Sequence, residues 1–192
     1  MRAALAFLAA LATGPATAEC RLALVLGLDV SGSVDPREYR LQLDGVAGAL
    51  ETPGVQKALF SMPGAHVDIA IYQWGAPWQQ RLLLDWTTLR SAADTALVAA
   101  QMRAASHNFS DPSTAIGSAI EFGVALLSDR PDCWAHTIDI SGDGPSNSGP
   151  PSGQSDPTRT ALYHGQRPCR EPLGARQYRQ GSQPRQDLAQ PL

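Results

Sequence analysis

The stretch Leu22–Tyr39, LALVLGLDVSGSVDPREY, is apolar as far as Leu28 and then breaks at Asp29, Ser31 and Ser33. A continuous apolar run with no polar face is the pattern of a strand covered on both sides of a sheet. Three oxygen-bearing side chains at alternate positions just past its end can all face one spot. Further on, Asp35 is placed as a helix N-cap, Pro36 suits the first helical position and Glu38 completes a capping box. Leu43, Val46, Ala47 and Leu50 then recur at helical spacing. The bland reading of Ser31 and Ser33 is that their hydroxyls only cap this helix.

The rest of the chain alternates strands with helices. Val67–Trp74 reads as a strand, Gly75-Ala76-Pro77 breaks it, and Gln80–Trp86 reads as its hairpin partner. Leu89–Ala104 is Ala-rich and helical, and His107–Ser113 is a polar loop. Thr114–Leu127 reads as another helix, and Ala135–Ile140 is a strand ending in SGDG, Ser141–Gly144. This order predicts an α/β fold with a mostly parallel sheet and helices on both faces. Following chain direction through the hairpin brings Asp29, Thr114 and Asp143 to one rim. At that rim open α/β sheets bind ligands.

DVSGS (Asp29, Ser31, Ser33), TAIGSAI (Thr114) and SGDG (Asp143) together resemble the metal-ion-dependent adhesion site (MIDAS) of von Willebrand factor type A (VWA) domains. The resemblance covers about Leu22–Ser148 and implies a Rossmann-like VWA fold. DVSGSVDPREY and IDISGDGPSNSG are similar to an exported bacterial VWA-like family whose function is not established. The resemblance implies that Ser31, Ser33 and Thr114 bind a cation through hydroxyls. Asp29 and Asp143 would act largely through bound waters. Mg²⁺ favours six oxygens and keeps waters readily, and Mn²⁺ suits the same set. Zn²⁺ prefers the His or Cys ligands that this rim lacks. Neutral ligands leave the cation under-neutralised, so an Asp or Glu carboxylate on a partner protein would complete the shell. The loop before Thr114 departs from the family pattern: Asp111-Pro112-Ser113 stands where glycines are usual, and Ser113 could substitute for Thr114. The plain alternative for Asp143-Gly144 is an ordinary turn.

Other chemistry is weakly signalled. There is no G-x-S-x-G elbow, and His66, His107, His136 and His164 lack metal-ligand spacing, reading as surface or strand-end residues. Asn108-Phe109-Ser110 is a sequon by pattern only. Trp78, in the hairpin turn, is either packed or available beside the rim. A formal charge of −3, with Lys57 the sole lysine, argues against nucleic acid or anionic membrane as partner. Cys20 and Cys133 should fall at similar depth on adjacent parallel strands, either bridged or as two buried thiols. A bridge would close a long loop, worth ~4 kcal/mol in the chain-entropy model.

Residues 1–18 have the positive start, apolar stretch and Ala16-Thr17-Ala18 site of a secretory signal peptide. The expectation is export to the periplasm or beyond, without later membrane insertion. Residues 19–148 then form an incomplete VWA-like domain. From Gly149 to Leu192 there is no Val, Ile, Phe, Met or Trp. Such a tail reads as disordered, or as the product of a slipped reading frame. Shifting the bases of Leu162–Cys169 by one position permits SITVNGLA, which looks like the family's next strand. On that reading the last strands and helices are missing, Ala135–Ile140 becomes an exposed edge, and Cys169 is an accidental thiol. The sequence thus predicts an exported, Mg²⁺-dependent protein-binding module that is not an enzyme. Its alternatives are a non-functional truncated product and a metal-assisted hydrolase-type accessory protein.

Overall fold

The computed structural model describes residues 18–106 and 111–151, and the backbone of 160–165. Residues 1–17 of the expected signal peptide (1–18), the Asn108 sequon, His107 and Cys169 lie outside these residues. So do residues 152–159 and 166–192 of the tail expected to be disordered.

Strand β1 (Glu19–Asp29) leads through the Ser31–Ser33 turn into helix α1 (Pro36–Glu51). The α1 start is fixed as its sequence dictates. Asp35 Oδ1 accepts from Arg37 N at 2.7 Å and Glu38 N at 2.8 Å, while Asp35 N donates to Glu38 Oε2 at 3.0 Å. Asp35 thus supplies the cap, so Ser31 and Ser33 are not needed for it. A short helix α2 (Pro53–Leu59), capped by Thr52, follows without having been expected. Then come β2 (Ala65–Trp74) and β3 (Gln80–Leu89), an antiparallel pair. Leu89 pairs with Val67 and so closes β3. The next helix, α3 (Ala92–Ala104), starts later than its periodicity suggests, where Ser91 and Asp94 form a capping box. Helix α4 (Ile116–Ser128) and strand β4 (His136–Gly142) complete the core, and β5 (Thr160–Gly165) follows.

The strand order is β3-β2-β1-β4-β5, parallel throughout except for β3. One face packs Leu28, Ile69, Ile71 and Leu84 against α1 and α3 through Leu43, Ala47, Val98 and Met102. The other packs Val25, Tyr72, Trp74, Ile138 and Ile140 against α4. Burial on both faces explains why the Leu22–Leu28 run of β1 has no polar side in sequence. At Gly27 an added Cβ would sit 2.7 Å from Ile140 Cδ1 and 2.7 Å from the Tyr72 hydroxyl, so the tight β2-β1-β4 layer requires glycine there.

Two expectations can now be settled. Cys20 and Cys133 are bridged, because parallel pairing of β1 with β4 brings their lower ends together, and Trp134 N donates to Cys20 O at 3.0 Å. The expected bare edge at Ala135–Ile140 is not found. β5 pairs with β4 from Thr137↔Thr160 to Gly142↔Gly165. Composition of the whole tail concealed this, since pairing is made by backbone groups and Thr-Ala-Leu-Tyr is competent for a strand.

Candidate functional site

The buried run of β1 delivers Asp29 to the upper rim, where the chain must turn because both neighbouring strands end nearby. Val30 N still donates to Trp74 O at 2.9 Å, so the turn starts from a fixed point. A closed ring of hydrogen bonds then holds the strand end. Ser141 Oγ accepts from Asp29 N at 3.4 Å and donates to Gln42 Oε1 at 3.0 Å, while Gln42 Nε2 donates to Asp29 O at 3.0 Å. β1, β4 and α1 are thereby tied at one point.

On this base the side-chain oxygens gather. Ser31 N donates to Asp29 Oδ1 at 2.8 Å, which folds the turn back over the carboxylate. Ser31 Oγ lies 3.2 Å from Ser33 Oγ, and Ser33 Oγ donates to Asp143 Oδ1 at 2.9 Å. Asp29 and Ser31 are buried, whereas Ser33 and Asp143 are exposed, so the group is closed below and open above.

Thr114 is buried on the neighbouring loop. Its hydroxyl makes no hydrogen bond to the other four among the described residues. Its backbone, however, is clamped. Thr114 N donates to Asn147 Oδ1 at 2.8 Å, and Thr114 O accepts from Asn147 N at 2.9 Å, Ser148 N at 3.2 Å and Ser146 Oγ at 3.1 Å. Ser146 Oγ also takes the Ile116 amide at 3.3 Å. That bond replaces the side-chain cap that Ala115 cannot offer to α4. Helix α4 accordingly starts at Ile116, leaving Thr114 in the loop rather than in the helix. Ser113 N is occupied with Asp111 Oδ1 at 2.9 Å. Ala115 N donates to Gly75 O at 2.9 Å, which locks the loop to the β2–β3 hairpin. Trp78 in that hairpin is 71% exposed, an unburied aromatic at the same end of the sheet.

The electrostatics call for a positive charge. Burial pushes the Asp29 carboxyl above its ordinary range, and the nearby negative Asp143 adds to the rise. Hydrogen bonds from Ser31 oppose it, as does the Asp143 amide, although the latter lies outside hydrogen-bond geometry. Asp29 Oδ2 is buried without a hydrogen-bond partner. A buried carboxylate oxygen with no donor is costly unless a cation or ordered water meets it. Oxygen donors only, some neutral and some acidic, suit a hard divalent cation.

Gln42, Ser141, Ser146 and Asn147 support the site but escape a reading of motifs. The cluster Ser146-Asn147-Ser148 carries a turn signal, yet which loop it clamps is decided by the fold. His66 and His136 lie at the opposite end of the sheet from this rim. His66 takes the strand-end place of its two expected settings, near the start of β2, and is buried there, 3.4 Å from Asp68 Oδ1.

Solved structures share this architecture. Proximal thread matrix protein 1 (PTMP1) from the mussel byssus, in a form described as having a zinc occupied MIDAS motif, aligns with a TM-score of 0.58 at 14% identity. The match covers 77% of this chain and 38% of that protein. A von Willebrand factor type A protein from Catenulispora acidiphila aligns with a TM-score of 0.51 at 15% identity, over 76% of this chain and 33% of that one. The chain thus spans little more than a third of these proteins, and the likeness is one of fold. No curated protein matches it. The fold is that of a VWA domain. At the level of sequence, residues 19–162 match a family model, and the chain belongs to the family described as protein of unknown function (DUF1194).

Proposed function

We propose that Asp29, Ser31, Ser33, Thr114 and Asp143 hold one divalent cation, Mg²⁺ foremost and Mn²⁺ as an alternative. Through it an exported module grips a carboxylate on a protein partner. The carrying observation is the buried, unpartnered Asp29 Oδ2 beneath a hydrogen-bonded array of Ser31, Ser33 and Asp143 oxygens. When bound, the cation supplies a coordination position for an anionic oxygen from outside. The protein's own residues do the rest. Asp29 and Ser31 form the buried floor, Ser33 and Asp143 form the open lip, and the Asn147 clamp holds the Thr114 loop at the side. Exposed Trp78 provides apolar area next to the lip.

Binding rather than catalysis is the reading supported, since the rim offers oxygen ligands but no imidazole from His66 or His136. Export is supported by the Cys20–Cys133 disulfide and by the signal-like first residues. No helix among the described residues is long and apolar enough to cross a membrane.

The zinc in the PTMP1 site qualifies the expectation that Zn²⁺ would avoid such oxygens, so the test includes all three ions. Titration calorimetry with Mg²⁺, Mn²⁺ and Zn²⁺ should show one site per chain that is lost in Asp29→Ala. An acidic peptide should then bind only when the ion is present. Unchanged ion binding in Asp29→Ala would remove the proposal.

A further inference from the structure

At the lower end of the sheet, opposite the rim, a second cluster has a different chemistry. Parallel pairing sets Cys20 directly beside His66, and Asp68 follows two positions along β2 on the same face. Ligand atoms of Cys20, His66 and Asp68 all lie within 4.8 Å of one another. The Cys133 sulfur is bonded to that of Cys20. His66 is only 9% exposed, and its Nδ1 is buried without a hydrogen-bond partner. Beside the cluster a cleft of about 320 Å³, lined by Asp129, Arg130 and Asp132, offers an entry path.

Asp68 is held ready by others. Thr88 Oγ1 donates to its Oδ1 at 2.7 Å, and Arg130 Nε pairs with its Oδ2 at 3.1 Å. Arg130 itself stacks over the Trp86 ring, 4.7 Å from the centroid. Such outer contacts orient a carboxylate without using all of its lone pairs.

We propose that opening the Cys20–Cys133 disulfide turns this cluster into a tetrahedral Zn²⁺ site ligated by Cys20, Cys133, His66 and Asp68. Two sulfurs, one imidazole and one carboxylate are the donors that Zn²⁺ favours. Charge explains the gating. With the bridge closed, Asp68 is paired with Arg130 and the two sulfurs are bonded to each other, so neither sulfur is a thiolate ligand. With two thiolates added, the cluster carries two uncompensated negative charges, which a divalent ion neutralises. The chemistry balances: a dithiol reductant gives two electrons and two protons to the Sγ–Sγ bond, leaving two thiols and its own disulfide. Zn²⁺ then displaces two protons to solvent as it binds both sulfurs.

The test uses the full chain carrying Asp29→Ala, which silences the rim, with Co²⁺ as an optical substitute for Zn²⁺. The reduced protein should bind one Co²⁺ with a thiolate-to-metal charge-transfer band. Zn²⁺ should displace it and raise the melting temperature of the reduced form only. Cys20→Ser should abolish the band, and His66→Gln and Asp68→Asn should each weaken binding about tenfold or more. The proposal is overturned if the reduced chain shows no band, or if it unfolds and binds nothing. It is equally overturned if His66→Gln and Asp68→Asn bind as tightly as the parent, since sulfur alone would then suffice.

Discussion

A Cβ added to Gly32 would lie 2.6 Å from the Cα of Pro112, so the Ser31–Ser33 turn and the Thr114 loop meet backbone to backbone. Where glycines would usually precede the threonine, this chain has Asp111-Pro112-Ser113, and Gly32 provides the missing room from the other side. Gly32→Ala should therefore drive the two loops apart. We expect at least a tenfold loss of divalent-ion affinity by calorimetry. The stability cost should be only about 1–3 kcal/mol in urea, because the clash is local to the surface turn.

Asp29 is expected to trade stability for binding. Its folded-state pKa stands above the ordinary 3.8, mainly through burial. A raised acid favours the fold while protonated. That contribution is fully present below the unfolded value and is lost as pH rises through the folded value. In chelator at neutral pH, Asp29→Asn should thus be the more stable protein, by about 1 kcal/mol. Its advantage should shrink on acidification into the range where Asp29 gains its proton. With saturating Mg²⁺ the order should invert, because only the wild type gains from ligation. Thermal melts across pH, with and without the ion, read both signs.

Ser146 gives α4 the cap that Ala115 lacks, and Asn147 beside it clamps Thr114, two residues ahead of the helix. Asn147→Ala removes the acceptor for Thr114 N and should cost about 1–2 kcal/mol. Amide exchange should quicken at Thr114 and Ile116, and ion affinity should fall. Asn147→Asp, which keeps an oxygen acceptor, should restore protection of the Thr114 amide. An equal loss in both variants would argue that the clamp does not act through this bond.

Gly117 tests the same strap from the helix side. An added Cβ there would sit 2.0 Å from Pro150 O. Gly117→Ala should release the 146–150 segment, and limited proteolysis of the variant should cut there first. Its ion affinity should drop in parallel with Asn147→Ala. The double variant should lose little more than either single one, as expected for two residues serving one contact.

The reading-frame slip inferred from the tail has its own test in the DNA spanning codons 145 to 170. The family match stops at residue 162, beside the point where the shifted frame permits SITVNGLA. Translation in that frame should give a strand followed by helical periodicity. A random-looking translation would leave the tail as a genuine segment.

Much of the fold is legible locally. The Asp35–Glu38 box, the unbroken apolar run of β1 and the hairpin break at Gly75 each express a short-range preference that packing then respects. Connectivity alone brings Asp29, Thr114 and Asp143 to one rim, because chain direction through a sheet follows from strand and helix order. What escapes is information without periodicity. Ser146 and Asn147 find Thr114 more than thirty positions away. Gln42 and Ser141 close a ring across three elements. His66 reads as a strand-end residue, yet pairing beside Cys20 buries it. β5 was hidden by the composition around it, which says little about a six-residue backbone pairing.

The bond between Ser33 and Asp143 joins positions 110 residues apart. Deletion mapping would therefore mislead here: neither half of the chain owns the proposed cation site, and every fragment should score as inert. The oxygen array is a property of the completed sheet, and only point substitutions can dissect it.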